Sequence, residues 1–355
     1  MTKEATSELS VMREEKEKAV TWISFEISSS LWFNRFNDAD YYDVKASKII
    51  DIDDYVTIKR DSLHTQQYNR ENQKFLICLI LSSVKNIVRR KVLRETWIRF
   101  GDNLDFKYYF VLGTKGLTAR ILDDLSAENE KFEDLLLLSN INDSYDNLTD
   151  KILQSFRWID LRYKNRFDFM LKVDDDTFVR LDLLYKDLQQ LIKSEENRPN
   201  DPFYIGFFDG RAHIKQRGIW KQNNWFLCDH YLPYALGGGY VISSQLVNFI
   251  SINHHLLQLY RSEDVSVGVW LSPLKLNRIH DIRFDTEYRS RGCVEKFLIQ
   301  HKQSIDEMRS KYLSLIDNRR LCPKKEYENR LVYQYDWSVL PSRCCFRNKS
   351  MLQAR

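Results

Sequence analysis

The sequence predicts an α/β fold, because strand-like and helix-like segments alternate along its first half and a buried strand there runs directly into three acidic residues. Apolar runs at residues 75–81, 106–112 and 135–138 have the length and composition of buried strands. Segments with helical periodicity separate them. This β-α-β-α order, up to about residue 195, is typical of a parallel sheet covered by helices. The 355 residues are enough for one large domain or two small ones.

The composition is that of an ordinary globular protein, with 43% hydrophobic and 29% charged residues. The net charge of +4 is spread along the chain without a long Lys/Arg block, so we predict no nucleic-acid partner. Aromatic residues make up 13% of the chain. Such a content suits a sugar-stacking surface or a large core, and composition does not separate the two.

The first 72 residues are charged and irregular, and we predict a stem or poorly ordered extension there. Crossing a bilayer takes about 18 or more consecutive apolar residues. The most apolar stretch, residues 19–33, is interrupted by Glu26 and three serines, so no membrane anchor is visible.

Helices and three further strands complete the prediction. The helices span residues 88–97, 117–131, 148–161 and 246–259, another begins near residue 180, and the strands span 167–173, 203–208 and 234–242. Three consecutive glycines lie in the last strand at 237–239. No Lys-Ser/Thr pair follows them, which excludes a P-loop. Glycines there would allow close approach of a flat ligand or of another strand.

Asp174, Asp175 and Asp176 follow the strand at 167–173, at a strand–helix corner where open α/β sheets bind ligands. Three adjacent carboxylates repel one another and lose solvation unless a cation or hydrogen-bond donors meet them. Phe178 stands where a dehalogenase-type phosphatase has Thr or Val and where an EF-hand needs an oxygen ligand, so both are excluded. An Asp-x-Asp site for Mg²⁺ or Mn²⁺, bridging carboxylate and diphosphate oxygens, remains.

A second acidic pair, Glu263 and Asp264, lies at a predicted helix start where Ser262 can cap. Displacement of a diphosphate leaving group by a hydroxyl needs a base, and this pair is the candidate. The alternative is a plain capping cluster. Arg90 and Arg94, just after the first strand, would face an anionic ligand or lie on a solvated helix face.

Five of the six cysteines lie in the second half, and none shows C-x-x-C spacing, which argues against zinc. The adjacent Cys344 and Cys345 suit a disulfide-stapled tail in an oxidising compartment, whereas reduced thiols in the cytosol are the alternative. Glycosylation sequons begin at Asn142, Asn147 and Asn348. Asn147 could instead cap the following helix.

Four blocks of the chain, in order and spacing, resemble the β-1,3-galactosyltransferase family (glycosyltransferase family 31). They are residues 90–97, 143–151, 169–178 and 263–265. Further blocks in the second half are similar to the branch of this family that builds the glycosaminoglycan–protein linkage region; they are residues 206–208, 228–240, 284–293, 301–304 and 335–345.

The resemblance implies a single GT-A catalytic domain over residues 73–346, with a tail at 347–355. It implies an inverting, Mn²⁺-dependent transfer of galactose from UDP-galactose to the 3-OH of a Gal-β-1,4-Xyl-protein acceptor. It further implies a type II membrane protein of the Golgi lumen. Transfer of N-acetylglucosamine, use of another acceptor, and a non-catalytic glycan-binding relative are the alternatives.

The resemblance also assigns roles to individual residues. Asp176 is the principal metal ligand and His301 completes the site, with His280 in reserve. Asp264 is the catalytic base and Glu263 lies beside it for the acceptor. The implied donor-binding residues are Asp174, Asp175, Arg90, Arg94, Asp143, Tyr145, Lys151, Gly238 and Gly239.

Overall fold

The computed structural model describes residues 74–164, 166–194 and 201–347. The strands are β1 (Lys74–Leu81), β2 (Phe106–Gly113), β3 (Leu135–Leu138), β4 (Phe167–Asp174), β5 (Phe178–Val179), β6 (Phe203–Asp209), β7 (Tyr234–Ser243), β8 (Asn277–His280), β9 (Phe284–Asp285), β10 (Gly292–Cys293), β11 (Ile299–Gln300) and β12 (Tyr327–Glu328). The helices are α1 (Ile87–Glu95), α2 (Ala119–Phe132), α3 (Leu148–Tyr163), α4 (Leu181–Ser194), α5 (Ser244–Ile252), α6 (Glu263–Leu271) and α7 (Ile305–Asn318). The predicted stem, the sequon at Asn348 and nearly all of the predicted tail lie outside the described residues.

The main sheet has the strand order β3-β2-β1-β4-β7-β6-β8. Its first four strands are parallel, as the alternating pattern predicts. β7 is antiparallel to both β4 and β6, which makes the sheet mixed. β1 is central, and its residues from Leu76 to Ile80 are completely buried. Its continuous apolar run is what burial on both faces requires. The predicted fold class, an α/β sheet flanked by helices, is confirmed.

One edge of this sheet collects polar residues from several strands. β1 and β4 end together, with Leu81 paired to Asp174. β6 ends and β7 begins at the same edge, where Asp209 pairs with Tyr234. The strand order thus brings residues far apart in sequence to a common edge, as expected for a ligand-binding face.

A smaller sheet, β5-β11-β9, lies beside this edge. β5 follows the acidic triplet directly, and its Phe178 pairs with Gln300 of β11. The residue after Gln300 is His301, and its neighbour Gln303 donates its backbone N–H to the carbonyl of Asp176 at 2.8 Å. This strand pairing is what brings His301 to the acidic triplet.

The predicted helix over residues 246–259 is wrong in length. α5 ends at Ile252, and only the short turn His254–Leu256 follows. Beyond it, side chains take up the backbone carbonyls that a longer helix would have paired internally: Trp270 Nε1 donates to Gln258 O at 2.8 Å, and Thr149 Oγ1 donates to Tyr260 O at 2.6 Å. These tertiary contacts replace the last helical turns.

Two predicted side-chain caps are also wrong. Asn147 precedes α3 and Ser262 precedes α6, but neither side chain accepts a hydrogen bond from its helix. Asn147 instead donates from Nδ2 to Asn142 O at 3.0 Å. At α6 the backbone N–H of Val265 is met by Asp264 Oδ1 at 2.8 Å, so an acidic side chain performs the capping.

The described residues include two disulfides, Cys293–Cys322 and Cys344–Cys345. The second joins adjacent residues and ties the tail to no other segment, so the predicted stapling of the tail through these two cysteines is not found among the described residues. Cys78 is free and buried, and Cys228 is free and exposed. Among the helices of the described ranges, none is both long enough and apolar enough to cross a bilayer.

Candidate active site

Asp174, Asp176 and His301 converge at the carboxyl edge of the sheet. One ligand atom from each lies within 4.8 Å of the other two. His301 Nε2 is 2.9 Å from Asp176 Oδ1 and 3.3 Å from Asp174 Oδ2. The structure thus joins the two residues predicted as metal ligands, Asp176 and His301, and adds Asp174, for which we expected a donor-binding role.

The donor set fits a divalent cation. Both ring nitrogens of His301 are buried without a hydrogen-bond partner among the described residues, although two carboxylates lie close to Nε2. Burial lowers the pKa of His301, but Asp174 and Asp176 outweigh it and raise that pKa to about 9. Mixed carboxylate and imidazole ligands suit Mn²⁺, and a cation placed among them would favour the neutral imidazole that metal binding requires.

Asp175 faces the other way, toward the end of β1. Its Oδ2 accepts hydrogen bonds from Ser82 Oγ and Asn86 Nδ2, each at 2.7 Å. Burial is the main influence on this carboxyl and raises its pKa. Lys302 approaches the metal-binding acids from solvent, with Nζ 3.5 Å from Asp176 Oδ2. The three adjacent acids therefore have three different sets of partners, which relieves their mutual repulsion.

Lys172, completely enclosed within β4, connects Asp174 of the triplet to Glu263 of the second acidic pair. Its Nζ donates to Asp174 Oδ1 at 2.9 Å, to Gly237 O at 2.6 Å and to Glu263 Oε1. The ammonium group is thus satisfied on all three N–H bonds. Burial lowers its pKa, but the two carboxylates outweigh this effect and hold that pKa above its ordinary value.

Glu263 and Asp264 occupy the first turn of α6 but have different surroundings. Glu263 is buried, and its second oxygen accepts from Tyr240 Oη at 3.1 Å. Burial raises the pKa of Glu263 to about 7. Asp264 is half-buried and accepts from the backbone N–H of Gly237 at 2.9 Å. Burial also raises the pKa of Asp264.

The three glycines of β7 make room for these groups. A Cβ at Gly237 would lie 2.9 Å from Glu263 Oε1, and one at Gly238 would lie 2.5 Å from His301 Nδ1. At Gly239 it would meet Ile299 at 2.9 Å. Of the two alternatives for this motif, close approach of another part of the protein explains all three positions. The donor-binding role of Gly238 and Gly239 stays a prediction.

Arg90 and Arg94 are engaged in a structural ion-pair network. Arg90 is completely buried and donates to both oxygens of Glu128, at 2.9 and 2.6 Å. Arg94 donates to Glu128 at 2.8 Å and to both oxygens of Asp134, at 2.8 and 2.7 Å. Both guanidinium groups are directed at carboxylates of α2 and of the residue before β3. Their contacts therefore do not support the predicted role in donor binding.

Asp143, Tyr145 and Lys151 do lie near the carboxyl edge. Lys151 is buried and donates to Ser82 O at 2.6 Å and to Asp143 Oδ1 at 2.5 Å. Burial lowers the pKa of Lys151 and outweighs the opposite effect of the negative charges of Asp143, Asp175 and Asp174. Tyr145 lies beside the start of α6, and burial raises its pKa to about 12.

His280, the reserve metal ligand, is excluded by its contacts. Its Nδ1 accepts from the backbone N–H of Phe208 at 3.0 Å, and its Nε2 lies 3.0 Å from Tyr333 O. Burial lowers its pKa to about 4. Both ring nitrogens thus serve the backbone, which makes His301 the better candidate for a metal ligand.

Sequence reasoning missed Lys172, Arg89 and Lys302. The role of Lys172 could have been predicted from sequence, because a lysine between Leu171 and Val173 in an apolar strand needs a buried counter-charge. Arg89 donates to Gln303 O at 3.2 Å and lowers the pKa of Asp175. Neither it nor Lys302 differs in local pattern from the other basic residues of the chain.

Sequence comparison with known proteins assigns the chain to a family. Residues 88–282 match the family model described as galactosyltransferase. The chain is 44% identical over 280 residues to mouse β-1,3-galactosyltransferase 6, covering 78% of this chain and 84% of that protein. It is 33% identical over 161 residues to a UDP-GalNAc:β-1,3-N-acetylgalactosaminyltransferase 2 from Xenopus laevis, covering 45% of this chain and 31% of that protein.

Mouse β-1,3-galactosyltransferase 1 is 30% identical over 226 residues, which cover 61% of this chain and 65% of that protein. The first of these relatives is matched along most of its length, and the family model covers the acidic triplet and the second acidic pair together. The chain therefore belongs to the galactosyltransferase family and is a galactosyltransferase.

Proposed function

We propose that this galactosyltransferase moves galactose from UDP-galactose to the 3-OH of a terminal β-galactose, in a Mn²⁺-dependent reaction with inversion. The observation that carries the proposal is the pairing of two acidic centres through one buried lysine. Asp174 belongs to the metal-binding cluster, Glu263 belongs to the base-bearing helix, and Lys172 contacts both. The leaving group and the attacking hydroxyl can thus be held in a fixed relation.

Asp174, Asp176 and His301 would hold the metal ion. When bound, the divalent ion supplies positive charge that stabilises the departing UDP. Lys302 and Arg89 add positive charge from the protein at the same place, next to Asp176 and Asp175 respectively. Asp175 is already anchored to the end of β1 and keeps the loop of the triplet in position.

Asp264 would accept the proton of the attacking hydroxyl. The N–H groups of Gly237 and Val265 fix its carboxylate in orientation. A base whose pKa is raised by burial takes up a proton more readily near neutral pH. The displacement needs one base opposite the leaving group and no nucleophile from the protein, which gives inversion at the anomeric carbon.

Glu263 is better suited to support than to direct contact with the acceptor. Both of its oxygens are occupied, one by Lys172 and the other by Tyr240, and its side chain is buried. We propose that it fixes Lys172 and the start of α6. We therefore assign Glu263 a positioning role instead of the direct contact with the acceptor that the family resemblance implied.

The proposed acceptor is a Gal-β-1,4-Xyl unit on a proteoglycan core protein, and the proposed location is the Golgi lumen as a membrane-associated enzyme. The similarity to mouse β-1,3-galactosyltransferase 6 supports the linkage and the sugar. The disulfides Cys293–Cys322 and Cys344–Cys345 support an oxidising compartment such as the secretory pathway.

A transfer assay tests the proposal. The purified full chain is incubated with a Gal-β-1,4-xyloside and UDP-galactose, UDP-N-acetylglucosamine or UDP-N-acetylgalactosamine, with Mn²⁺ or with a chelator. We expect a β-1,3-linked product from UDP-galactose and Mn²⁺ only. Preferential use of another donor would overturn the choice of sugar, and full activity with the chelator would overturn the metal dependence.

The variant Asp264→Asn separates an enzyme from a non-catalytic glycan-binding protein. We expect transfer to be lost while calorimetric titration shows UDP binding retained, because the metal-binding side chains are intact. Asp105→Asn is the matched control: Asp105 precedes β2 at the opposite edge of the sheet, and its side chain is 64% exposed. A non-catalytic protein would behave identically in both variants.

A further inference from the structure

We propose that Trp337, Tyr335 and Asp209 form a second sugar-binding subsite, which holds the pyranose that precedes the accepting galactose. This inference rests on the proposed function, because it places a further part of the same acceptor. It concerns residues of β6 and of the segment after β12, to which sequence analysis assigned no role.

Trp337 presents an exposed aromatic face on a rigid support. Its side chain is 44% exposed. Its ring stacks on that of Tyr335, with a centroid distance of 3.9 Å and an interplanar angle of 26°, and its edge meets Phe208 at 5.3 Å. A large aromatic ring held flat and half open to solvent offers an apolar surface for one face of a sugar ring.

Tyr335 brings an unused polar group to the same place. The residue is only 6% exposed, yet its hydroxyl has no hydrogen-bond partner among the described residues. The hydroxyl lies against Gly210, where a Cβ would be 2.6 Å from it. A buried polar group without a partner costs free energy, so a ligand hydroxyl that pairs with it would bind favourably.

Asp209 adds a carboxylate at the same point. One of its oxygens accepts from the backbone N–H of Arg211 at 2.9 Å. Its negative charge raises the pKa of the nearby Tyr335, after the larger effect of burial. Carboxylate, phenol and indole together are the combination that recognises a pyranose, with acceptors and donors for its hydroxyls and an apolar plane for its C–H groups.

The backbone of the subsite is well anchored. Arg211 Nη1 donates to Cys345 O at 2.5 Å, and the backbone N–H of Asp336 donates to Cys344 O at 2.9 Å. The adjacent Cys344–Cys345 disulfide lies beside Asp209. Because both sulfurs are joined to each other, they are not thiolate ligands, and the group of Asp209 and two cysteines does not serve as a metal site in this state.

The subsite lies at a suitable distance and on the right face for the acceptor. Asp209 pairs with Tyr234, and the base contacts Gly237, three residues further along β7, which corresponds to ~10 Å of strand. A chain of ring contacts runs from Trp337 through Phe208 and Tyr204 to Tyr240, which donates to Glu263. The platform and the base-bearing helix therefore share one face of the sheet.

The experiment compares two acceptors in the full-length protein. One is a Gal-β-1,4-xyloside, and the other is a simple β-galactoside that lacks the second sugar. We expect Trp337→Ala to raise KM for the disaccharide about tenfold, equivalent to about 1.4 kcal/mol. The KM for the one-sugar acceptor and the acceptor-free hydrolysis of UDP-galactose should stay within about twofold. Tyr335→Phe, which removes only the hydroxyl, should raise the disaccharide KM about threefold.

Phe132→Ala is the matched control, since Phe132 is 40% exposed and lies at the end of α2, remote from β6. We expect it to change neither KM. Equal losses with both acceptors in Trp337→Ala would show a general structural effect and overturn the subsite. An unchanged disaccharide KM in both subsite variants would overturn it as well.

Saturation-transfer NMR without donor keeps this test separate from the proposed function. We expect signal transfer to the second sugar of the disaccharide in the wild type and its loss in Trp337→Ala. If the wild type transfers no galactose but shows this binding, the proposed reaction fails and the subsite stands. If the wild type shows no signal on the second sugar, the subsite is wrong whatever the reaction proves to be.

Discussion

At the scale of single residues, Lys172 determines how the two halves of the site are related. It lies in the centre of β4 with its side chain 1% exposed, between Asp174 and the equally enclosed Glu263. A buried ammonium group is tolerated only with such partners, and each partner in turn depends on it. The same contact explains why the acid pair of α6 approaches the triplet in spite of its like charge.

Replacing Lys172 by Met should destabilise the protein by about 3–5 kcal/mol, because Glu263 would remain buried without its counter-charge. Equilibrium unfolding in denaturant measures the change. The double variant Lys172→Met/Glu263→Gln should recover part of the loss, since it removes the unpaired charge. If the double variant lost the sum of both single effects, the pair would not be coupled.

The pH dependence of transfer should reflect Asp264. Burial raises the pKa of this carboxyl, and only its deprotonated form can accept a proton. We therefore expect kcat/KM for the acceptor to fall on acidification, with a midpoint above the ordinary Asp value of about 3.9. Initial rates at saturating Mn²⁺ over a range of pH measure it. A midpoint at or below the ordinary value would contradict the assignment.

At the scale of elements, β7 shapes the site mainly through its three consecutive glycines, which have no side chains. Its antiparallel pairing with β4 places Gly239 opposite Val173 and brings Gly237 and Gly238 beside the acids. Thr177 Oγ1 donates to Gly238 O at 2.9 Å and ties the triplet loop to this strand. α6, the triplet loop and β11 can all approach because the glycines leave room.

Gly238→Ala should displace the ring of His301, because the added Cβ would lie 2.5 Å from Nδ1. We expect a loss of about 1–3 kcal/mol of stability and weaker Mn²⁺-dependent binding of UDP. Calorimetric titration and denaturant unfolding provide the two readouts. In a His301→Ala background the same substitution should cost much less stability, and an unchanged cost would show that the two residues do not clash.

The Cys293–Cys322 disulfide ties β10 to the residues that follow α7, over a sequence separation of 29. The corresponding loop-closure entropy is worth about 3–4 kcal/mol. The double variant Cys293→Ala/Cys322→Ala should lose about this much free energy of unfolding, measured in denaturant. Reduced wild type is the control and should lose at least as much, because the reductant also breaks Cys344–Cys345. No loss in either case would contradict the stabilising role of the Cys293–Cys322 disulfide.

At the scale of the whole molecule, function depends on the meeting of four segments at one sheet edge. Ser82 follows β1, Asp174 ends β4 and begins the triplet, β11 leads to His301, and α6 carries the proposed base. Their spacing in the chain is large, but the strand order brings their ends together. Trp337, which follows β12, contacts Phe208 near the same edge, where we propose the second sugar subsite.

Ligand binding should stabilise the whole fold. Mn²⁺ with UDP at about 100 times the dissociation constant should add about 2.7 kcal/mol, seen as a rise in Tm. Asp176→Asn should abolish the Mn²⁺-dependent part of that rise, because the principal ligand loses its charge. UDP without metal serves as the control, and an equal rise in both proteins would contradict the assigned cluster.

The sequence by itself determined the parallel α/β layer and the position of the acidic triplet at its edge. These follow from local pattern, since apolar runs mark strands and acids at strand ends mark ligand sites. It also pointed to His301, through similarity to a family. Local pattern failed for α5, because tertiary hydrogen bonds to Gln258 and Tyr260 outweigh helical propensity.

Only the tertiary structure decided which charges face the ligand and which face each other. Arg90 was expected to face an anionic ligand, yet it pairs with Glu128. Lys172 was given no role from the sequence, yet it bridges Asp174 and Glu263. The tertiary structure also separated His301, whose Nε2 faces two carboxylates, from His280, whose nitrogens serve the backbone. The physical reason is that a buried charge or ring nitrogen is defined by its partners, and those partners lie far away in sequence.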